Sequence, residues 1–126
     1  MRLVDSSAWI EWLLLTPTGE RIGPEFPEMS DQLVPTLVEF ELVKWLRREA
    51  SEVAVHAFLA YSQECVVVPL TTEIALKAAE LAVEYKLATA DAIIYATAFE
   101  HGADVLTCDR HFEGLEGVIY IEKAEA

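Results

Sequence analysis

The sequence predicts an α/β fold, a three-layer α/β/α sandwich around a central, mainly parallel sheet. Short apolar runs without polar alternation recur along the chain, as expected for strands that are buried on both faces. Helical segments that begin at capping residues separate these runs, which is the order of βαβ units. The 126 residues are 53% hydrophobic. We therefore expect a substantial core and one domain, residues 1–126.

Five short strands are predicted from these apolar runs. They cover residues 3–4, 33–35, 65–69, 104–107 and 118–121. The run at 65–69 contains three consecutive valines and is the clearest candidate for a strand buried on both faces. The strands are too short and too apolar to form a sheet with one solvated face, so we expect helices on both sides.

Five helices are predicted between the strands. They cover residues 8–15, 36–50, 52–64, 72–85 and 89–100. The hydroxyl side chains that could cap the first, third and fourth of them are Ser6 or Ser7, Ser51, and Thr71 or Thr72. The segment 16–31 contains three prolines and two glycines, so we expect mainly loop there, with room for one short helical piece.

The composition excludes some classes of protein. A formal net charge of −13, from 22 acidic and nine basic side chains, argues against a generic basic nucleic-acid clamp. Some of the acids could instead be cation ligands, because a bound metal reverses the local field. No apolar run reaches the roughly 18 residues of a membrane span, and we expect a cytoplasmic protein. Cys65 and Cys108 lack the paired spacing of zinc or disulfide sites and are expected to be buried.

Three aspartates occupy positions where the strands of such a sheet end. Asp5 directly follows the first strand, Asp109 lies two residues past the fourth, and Asp91 stands in the first turn of the last helix. Ligands of open α/β sheets bind beyond the carboxyl ends of the strands. Carboxylates that converge there repel one another unless a cation neutralises them, and Mg²⁺ and Mn²⁺ prefer oxygen ligands. A site of this kind suits hydrolysis of a phosphodiester by metal-activated water.

The second predicted helix carries two candidates for a fourth acid, Glu39 and Glu41. Two residues on a helix that are two positions apart point about 200° apart, so both cannot face the same site. Helical periodicity slightly favours Glu39, because it falls within the apolar arc of the helix. Glu41 falls on the border of that arc, beside Trp45. Periodicity therefore leaves both candidates open.

Four segments resemble, in order, the successive motifs of PIN-domain ribonucleases. They read Val-Asp-Ser-Ser-Ala-Trp-Ile at 4–10, Glu-Leu at 41–42, Thr-Ala-Asp-Ala-Ile-Ile-Tyr-Ala-Thr-Ala at 89–98 and Leu-Thr-Cys-Asp-Arg-His-Phe at 106–112. The resemblance spans essentially the whole chain. In length and in the sequences of these motifs, the chain is similar, more narrowly, to the VapC-type toxins of bacterial and archaeal toxin–antitoxin pairs.

The resemblance implies a PIN-like sandwich with metal ligands, which are also the catalytic acids, at Asp5, Glu41, Asp91 and Asp109. It favours Glu41 over Glu39. Ser7 and Thr107 match hydroxyl positions that accompany these acids and would orient metal-bound water. The implied cofactor is Mg²⁺ or Mn²⁺, the substrate is RNA, and the partners are a second copy in a homodimer and a cognate VapB-type antitoxin. The expected function is a metal-dependent endoribonuclease, and the alternative is a non-catalytic PIN-like module that binds RNA or protein.

The expected RNA contacts are Lys44, Arg48 and Arg110. The first two belong to a basic cluster on the second helix, which could equally pair with Glu49 or Glu52 on a solvated face. Arg110 directly follows Asp109, and His111 comes next, so both could contact substrate phosphates.

Overall fold

The computed structural model describes residues 1–124, which contain a five-stranded parallel sheet. The strands are β1 (Arg2–Val4), β2 (Gln32–Pro35), β3 (Val66–Val68), β4 (Asp104–Thr107) and β5 (Val118–Tyr120). Their order is β3-β2-β1-β4-β5, and all four neighbouring pairs run parallel. The predicted α/β class is confirmed, with a sheet more uniform than the mainly parallel one expected.

Six α-helices connect the strands within the described residues. They are α1 (Ser6–Leu13), α2 (Pro17–Ile22), α3 (Thr36–Glu49), α4 (Glu52–Gln63), α5 (Thr72–Tyr85) and α6 (Thr89–Glu100). The chain moves outward from β1 to β3 and then crosses back to β4 on the other side of β1. Because parallel crossovers are right-handed, this reversal places α1 to α4 on one face of the sheet and α5 and α6 on the other.

Burial differs between the central and the outer strands. Leu3 and Val4 in β1 and Leu106 in β4 are fully buried. In contrast, Val66 and Val67 of β3 are 37% and 38% exposed. The expectation that residues 65–69 form a strand buried on both faces is therefore wrong. The reason is topological: β3 ends the sheet and has a single neighbouring strand, β2.

The first helix begins two residues earlier than the sequence predicts. Asp5 occupies the N-cap position of α1 and makes no capping hydrogen bond with its side chain. Neither Ser6 nor Ser7 is therefore the cap, because both already lie in the first turn. The other expected caps form: Ser51 accepts a hydrogen bond from the backbone of α4, and Thr71 accepts one from α5.

The segment between α1 and β2 is more ordered than its prolines and glycines suggest. Thr16 caps α2 by accepting a hydrogen bond from the backbone of Gly19, and Pro17 occupies the first helical position, where a missing N–H costs nothing. Two 3₁₀ turns follow, at Gly23–Glu25 and Met29–Asp31. The short helical piece expected in residues 16–31 is thus confirmed as α2, and the expectation of mainly loop is wrong for the segment as a whole.

An ion network closes the amino edge of the sheet, opposite to the strand ends that carry the acids. Arg2 donates a hydrogen bond of 2.8 Å to the carboxylate of Asp104 and another of 2.9 Å to that of Glu25. Asp104 is thus a structural partner of Arg2. None of the described helices is long and apolar enough to span a bilayer.

Gly19 offers a test of the packing between α1 and α2. A Cβ atom at this position would lie 2.2 Å from the carbonyl oxygen of Glu11, so the two helices would have to separate. We expect Gly19→Ala to lower the free energy of unfolding by about 2–3 kcal/mol, measured by urea denaturation. Gly23→Ala is the control, because nothing lies within 4 Å of its Cβ position and its φ is −46°. Equal stability of the two variants would contradict this packing.

Candidate active site

The candidate site lies where the chain direction across the sheet reverses, between β1 and β4. These strands pair in register, with Val4 opposite Leu106, and the backbone N–H of Asp5 donates to the carbonyl of Leu106 at 2.9 Å. In doubly wound sheets, ligands bind in the crevice at this switch point. Asp5 follows β1 and Asp109 follows β4, so both acids stand at the crevice.

Asp5 is the most deeply placed acid, with 6% of its surface exposed. One carboxylate oxygen, Oδ2, accepts hydrogen bonds from the hydroxyls of Ser7 at 2.8 Å and Thr107 at 2.9 Å. Burial raises the pKa of Asp5, the two hydroxyl hydrogen bonds act in the opposite direction, and the charge of Asp109 raises it further. A fixed carboxylate with a raised pKa is one that gains from a nearby cation.

The same two hydroxyls connect β1 to the turn after β4. The backbone N–H of Cys108 donates to Ser7 Oγ at 3.0 Å, and that of Asp109 donates to Thr107 Oγ1 at 2.9 Å. Ser7 and Thr107 therefore orient Asp5 and also hold the turn that carries Asp109. Their expected contact with metal-bound water stays a prediction.

Asp91 and Asp109 face each other across the crevice, with His111 beside them. One ligand atom from each of the three lies within 4.8 Å of the other two. His111 Nδ1 is 2.9 Å from Asp109 Oδ1 and 3.5 Å from Asp91 Oδ2. Burial, followed by the charges of Asp109 and Asp5, raises the pKa of Asp91 to about 6.

Of the two candidate glutamates on α3, the structure places Glu41 beside the aspartates. Burial, followed by the charges of Asp5 and Asp91, raises the pKa of Glu41, and its Oε1 atom is buried without a hydrogen-bond partner among the described residues. Glu39 instead accepts a hydrogen bond of 2.6 Å from Ser62 of α4. The apolar arc that contains Glu39 packs against another helix, which explains why periodicity pointed to it.

The donor set fits a hard divalent cation. Four carboxylates converge, three of them have a raised pKa, and a buried oxygen of Glu41 lacks a donor. Ions such as Mg²⁺ and Mn²⁺ take oxygen ligands of this kind and remove the repulsion between them. The residues that could hold the ion are Asp5, Glu41, Asp91 and Asp109.

Basic side chains lie in two clefts on either side of the acids. One cleft, of about 260 Å³, is lined by Ser6, Ile10, Phe40, Glu41, Lys44, Trp45 and Arg48. The other, of about 340 Å³, is lined by Ser7, Cys108, Asp109, Arg110, Tyr120, Glu122 and Lys123. Arg48 also pairs with Glu49, and Arg110 lies 3.8 Å from Glu122, so both have partial partners. Arg47 pairs with Glu52 and lines neither of these two clefts, but it shares a third cavity, of about 650 Å³, with Lys44 and Arg48.

The two cysteines supply no reactive thiol to this site. Burial raises the pKa of Cys108 and of Cys65 to about 11, so both are protonated at neutral pH. Cys108 is 4% exposed, as the sequence led us to expect. Cys65 is only half-buried, because it precedes the edge strand β3.

Sequence reasoning missed two polar side chains of the site. Ser6 lies near Glu41 and lowers its pKa, whereas the sequence suggested a helix cap. The His111 ring contacts the carboxylates of both Asp91 and Asp109, whereas the sequence suggested only a loop residue or a phosphate contact. Its position two residues after Asp109 was the available signal, because the 3₁₀ turn Arg110–Phe112 returns the chain toward that acid.

The raised pKa of Asp91 predicts how the metal-free protein responds to pH. Its ordinary value is 3.8 and its value in the fold is about 6, so the charged form destabilises the fold at pH 7. We expect Asp91→Asn to raise the free energy of unfolding at pH 7 in EDTA by about 1–3 kcal/mol, at about 1.4 kcal/mol per pKa unit. The gain should shrink as the pH falls through 6 toward 4, because wild-type Asp91 then becomes neutral in the fold.

Asp104→Asn is the control for this experiment, since that carboxylate is paired with Arg2 and its removal should give no gain. Urea denaturation at several pH values measures both variants. A gain for Asp91→Asn that did not depend on pH would contradict the electrostatic origin.

Solved structures with this fold include several toxins. A toxin–antitoxin complex from Klebsiella pneumoniae aligns with a TM-score of 0.84 and 21% identity, covering 98% of this chain and 100% of that one. VapC20 from Mycobacterium tuberculosis, described as a sarcin-ricin loop cleaving toxin, aligns with a TM-score of 0.72 and 20% identity. The alignment covers 98% of this chain and 100% of that one. DNA-bound VapBC from Salmonella typhimurium aligns with a TM-score of 0.70 and 16% identity, covering 96% of each chain.

These identities are low, so the similarity to solved structures concerns the fold. No match was found among curated protein sequences. The family model of the PIN domain, however, matches residues 2–118, which is nearly the whole chain. With the parallel sheet and the acids at its switch point already described, this match identifies the family: the chain belongs to the PIN domain family.

Proposed function

We propose that this protein is a metal-dependent endoribonuclease of the VapC toxin type. The observation that carries the proposal is the convergence of Asp5, Glu41, Asp91 and Asp109 at the switch point of a PIN fold. The toxins among the structures of similar fold support it, one of them being described as a sarcin-ricin loop cleaving toxin. The proposed domain is a single one, residues 1–126.

In the proposed mechanism, the four acids hold Mg²⁺ or Mn²⁺. When bound, the ion supplies positive charge that stabilises a phosphoryl oxygen and brings the pKa of an attacking water toward neutrality. Ser7 and Thr107 keep Asp5 oriented through their hydrogen bonds to its Oδ2 atom. Because the protein needs no covalent nucleophile, the protonated Cys108 beside the site is only a packing residue.

The proposed path of the RNA backbone follows the two clefts that flank the acids. The chain as a whole carries a formal charge of −13 and would repel RNA. Lys44 and Arg48 on one side and Arg110 on the other provide local positive charge beside the acids. Contacts of this type position the backbone without reading its sequence.

The proposed partners follow from the same family of structures. Complexes of toxins with antitoxins are among the structures of similar fold, and this supports a VapB-type antitoxin that covers the cleft. A homodimer is proposed as the assembly that such a toxin forms. A cellular RNA substrate would place the protein in the cytoplasm.

Cleavage of total cellular RNA tests the proposal. We expect discrete fragments with Mg²⁺ or Mn²⁺, none with EDTA, and a loss of rate of at least about 100-fold in Asp91→Asn and in Glu41→Gln, because each removes a charged ligand. Glu39→Gln is the matched control, since this acid bonds Ser62 away from the site, and it should retain activity. Fragment ends mapped by sequencing would identify the substrate.

No cleavage by folded, antitoxin-free wild-type protein with either metal would reject the enzyme in favour of a non-catalytic binding module. Activity retained by Glu41→Gln but lost in Glu39→Gln would reverse the assignment of the two glutamates.

The basic side chains of the clefts can be tested separately. We expect Lys44→Ala to raise the KM for RNA roughly fivefold and to leave kcat nearly unchanged, since the loss of one phosphate contact costs on the order of 1 kcal/mol. Lys77→Ala is the control, because Lys77 lies on α5, pairs with Glu80 and lines neither cleft. A tenfold fall in kcat for Lys44→Ala would instead place this lysine at the reacting phosphate.

A further inference from the structure

His111 supplies a nitrogen atom at the open side of the acid cluster. Its Nδ1 lies 2.9 Å from Asp109 Oδ1 and 3.5 Å from Asp91 Oδ2, while 76% of the side chain is exposed. The ring therefore approaches the two aspartates from the solvent side and is not held there by packing. Among the described residues, these three side chains each offer a donor atom within 4.8 Å of the other two.

The local backbone fixes the position from which this ring projects. The backbone N–H of His111 donates to Asp109 Oδ1 at 2.9 Å, and the next residue, Phe112, is fully buried. The 3₁₀ turn Arg110–Phe112 is thus anchored at its middle and last residues. An anchored backbone with a free side chain allows Nδ1 to adjust by a few tenths of an ångström without disturbing the fold.

The spacing of the donors is that of neighbouring ligands around one ion. Adjacent donors of an octahedral ion with bonds of about 2.1 Å lie about 3 Å apart. The distance of 2.9 Å from His111 Nδ1 to Asp109 Oδ1 matches this value. The distance of 3.5 Å to Asp91 Oδ2 is longer, and a small movement of the side chain would close the gap. A histidine that served only as a partner of the aspartates would keep its contact with their outer oxygens and would add no bond to the ion.

We propose that His111 Nδ1 is a ligand of the divalent cation that Asp91 and Asp109 hold, and that this nitrogen makes the site prefer Mn²⁺ to Mg²⁺. The proposal rests on the metal site of the proposed function and adds the determinant of its selectivity. Mg²⁺ is a hard ion that takes oxygen ligands and keeps its waters, whereas imidazole nitrogen suits transition-metal ions. A site made only of carboxylates binds the two ions with similar affinity. One nitrogen donor increases the affinity for Mn²⁺ relative to that for Mg²⁺.

Metal binding without RNA tests this directly. MnCl₂ and MgCl₂ are titrated into the wild type, His111→Ala and His56→Ala by calorimetry. His56 is the matched control, because its side chain is 77% exposed and it lies on α4, near Glu52. We expect His111→Ala to weaken Mn²⁺ binding by at least about tenfold and Mg²⁺ binding by less than about threefold, with no change in His56→Ala.

Pulsed electron paramagnetic resonance of the Mn²⁺ complex gives a second readout. A directly bound imidazole produces a nitrogen hyperfine coupling, which we expect in the wild type and in His56→Ala and not in His111→Ala. Thermal unfolding checks that the variants fold, which the exposure of both side chains leads us to expect.

The possible outcomes separate the two proposals. Unchanged Mn²⁺ affinity in His111→Ala, or no nitrogen coupling in the wild type, would overturn the ligand role of His111. Equal weakening for both ions would overturn the Mn²⁺ preference. Each of these results would leave the acidic metal site intact. Failure of the wild type to bind either ion would overturn the proposed function, and the role of His111 with it.

Discussion

The parallel pairing of β1 with β4 is the constraint on which the candidate site depends. These two strands are adjacent in space although about 100 residues of chain separate them, and the connections that follow β1 and precede β4 lie on opposite faces. A crevice therefore opens at their carboxyl ends. Hydrogen bonds of the Ser7 and Thr107 hydroxyls join the carboxyl ends of these two strands across the crevice, and they position Asp5 and Asp109.

The carboxylates of the site lower the stability of the fold. Burial and mutual repulsion raise the pKa values of Asp5, Glu41 and Asp91, so holding these side chains in the charged form costs folding free energy. The fully buried central strands supply the apolar packing that tolerates this strain. Such an arrangement is expected where a ligand of opposite charge completes the structure, and it explains why a protein rich in acids can still concentrate four of them in one crevice.

Local sequence predicted the strands, most helices and the aspartates at strand ends, because each depends on nearby residues. It failed where distant contacts decide. The exposure of β3 follows from its edge position, and the helix at Pro17 is stabilised by the fit of Gly19 against α1. Periodicity correctly found a buried face at Glu39 but could not show that Ser62 is what the acid meets there. The position of His111 likewise depends on a turn that only the folded chain defines.

Anomalous diffraction from crystals grown with Mn²⁺ tests whether the four carboxylates form one divalent-cation site. We expect an anomalous peak at the carboxyl ends of β1 and β4, within about 2.0–2.6 Å of oxygens from Asp91 and Asp109 and of at least one of Asp5 and Glu41. A peak confined to another part of the surface, or none at saturating Mn²⁺, would contradict the claim.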